Sequence, residues 1–259
     1  MATLYFIATP IGNLEDISHR ALRVLGVVDA VACEDTRVTW RIFERYGIKP
    51  PETRFSCHEH NEEQAAKRVM GLLDAGQSVA LCTDGGHPGI SDPGYRLAAL
   101  CHERGHRLEV IPGPSAATTA LVASGLSTSS FTFKGFPPRK SGQRRRFFAM
   151  DRDLPHTLIV YESPFRVGQC LADAHAALGN RLAAVCLELT KKFEAVHRGW
   201  LADLAGQFKG KEVKGEVTIV ISGNNPKFRS GDDTGSDDGF DGEEDGGDGG
   251  DDGEMASRG

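Results

Sequence analysis

Three short stretches carry ionisable side chains close enough in sequence to act together. His58, Glu59 and His60 alternate, so an extended backbone would put both imidazoles on one face and the carboxylate on the other. That spacing suits general-base work and also metal ligation, but no matching Cys, His or Asp cluster follows to complete a metal site. The competing reading is polar loop residues that tie down backbone. Glu34 and Asp35 stand just before Arg37, as proton acceptors or as a helix cap with its own ion pair. Lys191 and Glu194 form the third set, with an ordinary surface pair as the alternative. A fourth feature is cationic: Arg139, Lys140, Arg144, Arg145 and Arg146 follow a Pro-Pro turn. They form the best phosphate-binding patch in the chain, with a solvated helix face as the bland reading. Arg37, Arg166 and Arg20 are further, weaker cations.

The elements that must position these groups alternate from the first residues. Strand-like apolar runs at 4–8, 30–33, 78–82 and 107–111 are interleaved with helical patterns at 18–25, 36–46, 62–75 and 115–124. Asp92 reads as the cap of another helix, with Pro93 at its first position. Such alternation predicts a mostly parallel sheet with helices on both faces. LSTSS (126–130) reads as a linker. Beyond it come strands at 131–136, 157–161, 181–187, 195–200 and 216–222, with helices at 142–150, 165–178 and 201–208. The expected organisation is α/β: domains at 1–125 and 126–225 with a ligand cleft between them, then a disordered tail over 226–259.

Charge follows the same division. The 259 residues carry a formal −6, yet residues 230–259 hold 12 acids and one Arg, so the remainder is +5. Gly, Asp and Glu dominate that last stretch, which cannot bury enough apolar surface to offset its ordering entropy. No apolar run approaches the ~20 residues of a membrane span, and no secretory signal is visible. The six cysteines show no CxxC and no pairing rhythm, so they read as small buried hydrophobes of a cytoplasmic protein.

In open parallel sheets, ligands sit beyond the carboxyl ends of the strands. The junctions there are TPIGN (9–13), CEDTR (33–37), TDGGHPGISDPG (83–94) and PGPSAA (112–117). All are rich in Gly, Pro and small polar residues, which let a ligand approach the backbone. Neither GxGxxG nor GxxxxGK[ST] is present, and no loop places a Lys to receive phosphate. A small ligand without phosphates is expected.

These motifs, in order, carry a resemblance. ATPIGNLEDIS (8–18), EDTR (34–37), HEHNE (58–62), DGGHPGISDPG (84–94), IPGPSA (111–116), GFPPRK (135–140), YESPFR (161–166), ELTKKFE (188–194) and KGE (214–216) together resemble the bacterial small-subunit rRNA (cytidine-2′-O)-methyltransferases. These are members of the tetrapyrrole methylase (class III) superfamily. The family usually has Ala and Thr at Gly85 and His87, His at Phe165 and Tyr at Cys57. The resemblance implies S-adenosyl-L-methionine folded into the cleft. Its contacts would be Pro10, Gly12, Asp84, Gly85, Gly86, His87, Ile90, Ser115 and Ala116 from the first domain, and Tyr161, Glu162, Leu189 and Thr190 from the second. It also implies a homodimer and a cytidine in the decoding centre of 16S rRNA, within the small ribosomal subunit, as target. The proton acceptor would come from Glu34, Asp35, His58, Glu59, His60, Lys191 or Glu194, and no metal or membrane is involved. Two other readings stay open: a sister methylase acting on a tetrapyrrole or a protein, and a non-catalytic RNA-binding assembly factor.

Overall fold

Strands β1 (Thr3–Ile7), β2 (Ala30–Cys33) and β4 (Val79–Cys82) are short, apolar and almost wholly buried, as strands covered on both faces must be. With β3 (Thr53–Ser56) and β5 (Arg107–Ile111) they pair in the order β3-β2-β4-β1-β5, every pair parallel. Helices α1 (His19–Leu25) and α2 (Thr36–Tyr46) cover one face, burying Val24, Leu25, Ile42 and Phe43 against Ile7 and Val31. Helices α3 (Glu62–Asp74) and α4 (Tyr95–Glu103) cover the other, through Val69, Met70 and Leu97. The structure, a computed structural model, describes residues 2–225; the acidic segment expected at 226–259 lies outside them.

The second sheet runs β6 (Phe131–Phe133), β7 (Thr157–Glu162), β10 (Val217–Ile221), β8 (Leu182–Leu187) and β9 (Ala195–Trp200), in the spatial order β6-β7-β10-β8-β9. Only β6–β7 is parallel. Helices α6 (Ser141–Ala149), α7 (Val167–Leu178) and α8 (Leu201–Phe208) bury Phe148, Leu171 and Leu204 on one of its faces. The opposite face takes α5 (Ala116–Ser124), which leaves the first sheet after β5 and packs Ala117, Ala120 and Leu121 against Ile159, Ala184 and Val220. Its small side chains permit that close approach, and Ile11 and Leu189 join the same apolar cluster.

Two sequence expectations are corrected. β3 was absent from the expected strands: it is a four-residue edge with one buried side chain, Phe55, and so lacks an apolar run. Asp92 caps no helix. α4 begins at Tyr95 behind Gly94, whose φ of 142° only glycine adopts readily, and the segment before it is closed by Gly89 N–H donating to Pro93 O at 3.1 Å.

The basic run also needs correction, at Arg144. This side chain is 1% exposed, and its guanidinium donates to Asp173 Oδ2 from Nε (2.9 Å) and Nη2 (2.7 Å). Nη1 donates to the carbonyls of Pro138 and Arg139. Arg144 therefore fastens α6 and the Pro-Pro turn to α7 and is unavailable to a phosphate. Asp173 also accepts from Ser141 Oγ (2.7 Å) and Arg145 Nε (2.8 Å). Burial works against its charge, yet these donors hold its carboxyl below the ordinary value. Asp173→Ala leaves the Arg144 charge buried without its partner and is expected to cost about 3–5 kcal/mol in urea denaturation. A loss within the few tenths typical of surface substitutions would contradict this description of the cluster.

Candidate active site

The carboxyl ends of β1, β2 and β4 and the start of α5 face the β7 end and the β10 start of the second sheet across a cleft of about 910 Å³. The first strand's exit is pinned by a reciprocal pair: Thr9 N–H donates to Gly86 O and Gly86 N–H to Thr9 O, both 2.9 Å. Thr9 Oγ1 donates to Thr83 O at 2.9 Å. The ends of β2 and β4 are cross-linked by carboxylates: Asp84 N–H donates to Glu34 Oε2 (3.2 Å) and Asp35 N–H to Asp84 Oδ1 (3.0 Å).

The two sheets meet where loop 10–13 crosses the loop after β8. Gly12 lies so close to that loop that an added Cβ would stand 2.4 Å from Lys191 Cγ and 2.7 Å from Thr190 Oγ1. Asn13 N–H donates to Thr190 Oγ1 at 3.1 Å. Thr190 and Glu188 hold left-handed backbone at φ 65° and 48°, a strain of about 1–3 kcal/mol each. Local bonds retain them: Glu188 Oε1 accepts from Lys191 Nζ and Glu216 N–H, both 2.9 Å, and Glu194 Oε2 accepts Thr190 N–H. Gly215, at φ 79°, leaves room for the Glu188 carboxylate, which any Cβ there would overlap.

The expected cofactor positions Pro10, Gly12, Asp84, Gly85, Gly86, His87, Ile90, Ser115, Ala116, Tyr161 and Glu162 all line this cleft. Leu189 and Thr190 do not. Leu189 is 6% exposed within the α5 cluster, and Thr190 serves the crossing loop. Of the candidate proton acceptors, Glu34 and Lys191 line the cleft. Asp35 is the N-cap of α2 and grips Arg37 through both carboxylate oxygens, which lowers its pKa to about 2. That matches the helix-cap reading and leaves it a poor base. His58, Glu59 and His60 occupy a turn after β3 rather than an extended stretch, and none lines the cleft. Glu194 is exposed and holds the crossing loop. Arg166 turns inward to Glu162 Oε1 (2.6 Å), and Arg20 donates to Val110 O. Arg139, Lys140, Arg145 and Arg146 remain exposed on the outer surface.

Asp92 and Glu216 were missed as site residues, the first because it reads as a helix cap and the second because it reads as the opening residue of a strand. Both line the cleft with Glu34, Asp84 and Glu162, so five acidic residues share it with Arg41 and Lys191. Burial pushes Asp92 up to about 7, assisted by the nearby charges of Glu34, Asp84 and Glu216. Burial likewise raises Glu34 and Asp84. For Lys191 burial is outweighed by Glu188 and Glu216, which raise its pKa and keep it an ammonium. On the far wall Tyr161 stacks edge-on with Phe133 and Phe136 at centroid distances of 4.8 and 5.6 Å. Thr83 Oγ1, buried just past the end of β4, has no hydrogen-bond partner. An acidic, partly aromatic cleft with a spare hydroxyl and close glycine backbone fits a cationic small molecule without phosphates, the kind to which S-adenosylmethionine belongs. Among the described residues no group of three or more His, Cys, Asp or Glu side chains is placed to hold a metal, and no helix is long and apolar enough to cross a membrane.

Comparison with known proteins agrees with this geometry. The profile of the Tetrapyrrole (Corrin/Porphyrin) Methylases matches residues 3–205. The chain belongs to this family. It is 44% identical to the Ribosomal RNA small subunit methyltransferase I of Halalkalibacterium halodurans, over 87% of this chain and 77% of the relative. Identity to the proteins of the same name is 43% in Escherichia coli O157:H7 (85% and 78% covered) and 39% in Thermotoga maritima (86% and 99%). Among solved structures the fold is similar to diphthine synthase (TM-score 0.67, 17% identity, 85% and 90% covered) and to cobalt precorrin-4 methyltransferase (0.65, 17%, 85% and 94%). The chain is thus a methyltransferase of the rRNA small subunit methyltransferase I group, with the tetrapyrrole methylase fold.

The raised Asp92 carboxyl gives a signed prediction. Between its ordinary pKa and about 7 the folded chain keeps a proton that the unfolded chain has lost, so stability falls as pH rises through that window. Asp92→Asn removes this contribution. In urea titrations between about pH 4 and pH 7 the wild type is expected to lose stability relative to the variant. Parallel curves would contradict a buried, raised carboxyl.

Proposed function

We propose that this chain transfers a methyl group from S-adenosylmethionine to the ribose 2′-hydroxyl of a cytidine in the decoding centre of 16S rRNA, acting in the cytoplasm as a homodimer. The observation that carries the reading is the cleft: Glu34, Asp84 and close glycine backbone at the carboxyl ends of parallel strands, joined by Asp92, Glu162 and Glu216, with no phosphate cradle. The printed names of the relatives, which methylate small-subunit rRNA, support the choice of substrate. The +5 charge outside residues 230–259 supports a polyanionic partner.

S-adenosylmethionine supplies an electrophilic methyl carbon on a sulfonium. The carboxylates lining the cleft would bind that positive charge and the loop backbone of Gly85 and Gly86 would hold the cofactor in place, so that alignment with the acceptor oxygen would supply much of the rate. Asp92 is the candidate base. With a pKa near 7 it is substantially ionised at working pH and still basic enough to take the hydroxyl proton as the oxygen–carbon bond forms and the methyl–sulfur bond breaks, its electron pair leaving on the neutral thioether sulfur of S-adenosylhomocysteine. Lys191, held as an ammonium, cannot accept a proton and instead stabilises negative charge on the acceptor oxygen. Outside the cleft Arg139, Lys140, Arg145 and Arg146 meet phosphates, without Arg144.

Mapping ribose methylation on rRNA from a strain lacking this protein should show loss at one cytidine of 16S rRNA. An unchanged map would refute the reading. On isolated subunits, Arg145→Ala with Arg146→Ala should flatten the log–log salt dependence of binding by roughly 1.4, as two single-strand phosphate contacts would. Asp92→Asn should lower kcat about 10²–10⁴-fold while leaving that slope unchanged. An Arg pair with an unaltered slope would place the RNA elsewhere.

A further inference from the structure

A second concavity of about 460 Å³ opens beside the first, between α2 and the β2–β3 edge of the parallel sheet. Thr39 and Arg41 line both, so the groove continues from the cleft rather than standing apart. Its walls are three arginines and a tryptophan. Arg37, Trp40, Arg41 and Glu44 project from successive turns of α2, and Arg54 reaches across from β3. The Arg54 guanidinium carbon lies 5.3 Å from the Trp40 ring centroid, and Trp40 is 40% exposed. Arg37 is engaged by Asp35, whereas Arg41 and Arg54 make no ion pair among the described residues. A flat aromatic surface, an adjacent guanidinium plane and free cations are the components with which proteins hold unstacked nucleotides.

We propose that this groove is a nucleotide subsite: it stacks the base of a residue flanking the methylated one on Trp40 and Arg54, and holds its phosphate with Arg41. The proposal rests on the reading that RNA is the substrate. It would fix a strand beside the parallel sheet, in a groove that Arg139, Lys140, Arg145 and Arg146, on and just before α6, do not line. Trp40 works here as a stacking platform, and Arg41 and Arg54 as positioning cations. None of the three takes part in the methyl transfer itself.

The test uses the full chain, isolated small ribosomal subunits lacking the modification, and a short single-stranded RNA spanning the target cytidine. Trp40→Ala should raise the KM and the Kd for either RNA at least fivefold, the lower end of a lost base–aromatic stack. Trp40→Phe should restore most of the affinity. Arg54→Gln should weaken binding of either RNA as well, as loss of the guanidinium plane beside Trp40 would. Affinity for S-adenosylmethionine, kcat at saturating RNA and melting temperature should stay at wild-type values in all three. Quenching of Trp40 emission as RNA is added, measured in a Trp200→Phe background, reports stacking without reference to activity. Wild-type RNA affinity in Trp40→Ala and Arg54→Gln would overturn the subsite while leaving the proposed activity intact. A change in oligomeric state with unchanged RNA affinity would overturn it in favour of a protein interface. A wild-type chain that neither binds nor methylates rRNA would show that the functional reading itself had failed.

Discussion

The cleft depends on one packing decision: α5 leaves the parallel sheet that produced it and buries its apolar stripe on the mixed sheet. Ala117 and Ala120 bring its backbone onto β7, β8 and β10, and Ile11 from the first loop enters the same cluster. The two sheets are thereby joined by a shared core and not only by the segment between α5 and β6. At full burial, each Leu or Ile in such a cluster stabilises by roughly 1.5–3 kcal/mol, so separating the halves would expose several such contributions. The crossing at Gly12 then sets how closely the loops approach. A larger residue there has to displace the Lys191 stem and the Thr190 hydroxyl, which themselves hold the strained turn beneath the cleft.

Charge is sorted around this seam. Carboxylates gather inside, where burial and mutual repulsion raise Asp92, Glu34 and Asp84, and where a bound cation would relieve the repulsion. Apart from Arg41 and Lys191, which line the cleft, arginines and lysines gather outside it, where a polyanion can reach them. The exceptions are informative. Arg144 and Arg166 belong to basic motifs by sequence but are spent on Asp173 and Glu162, shaping the Pro-Pro turn and the cleft wall. Binding a cation inside and a polyanion outside are then separable functions of one chain, which is what a transferase with a small cationic donor and a nucleic-acid acceptor requires.

The sequence made the architecture legible where patterns are strong. β1, β2 and β4 are buried apolar runs between Gly/Pro-rich junctions, and those junctions do converge on one sheet edge. β3 was not legible, because an edge strand of four residues with one buried side chain has no period to detect. Its absence also misled the reading of His58–Glu59–His60, which depended on an extended backbone that the turn after β3 does not provide. Asp92 was hidden by Pro93: Asp-Pro before an apolar stretch is a sound helix signal, but the φ of Gly94 delays the helix to Tyr95. Arg144 was hidden because its neighbours at 145 and 146 are exposed, and one step of a helix separates a surface position from a buried one. Trp40 and Arg54 are 14 positions apart, and only the β2–β3 pairing beside α2 brings them together.

The central claim is that a single cationic cofactor bridges loops from both sheets across the α5 seam. Amide hydrogen exchange with and without S-adenosylmethionine tests it most directly. Binding should protect residues 83–92 of the first sheet's loops and residues 161–164 and 215–218 of the second over one concentration range, with α8 unchanged. Protection confined to one half, or none at saturating cofactor, would contradict the account.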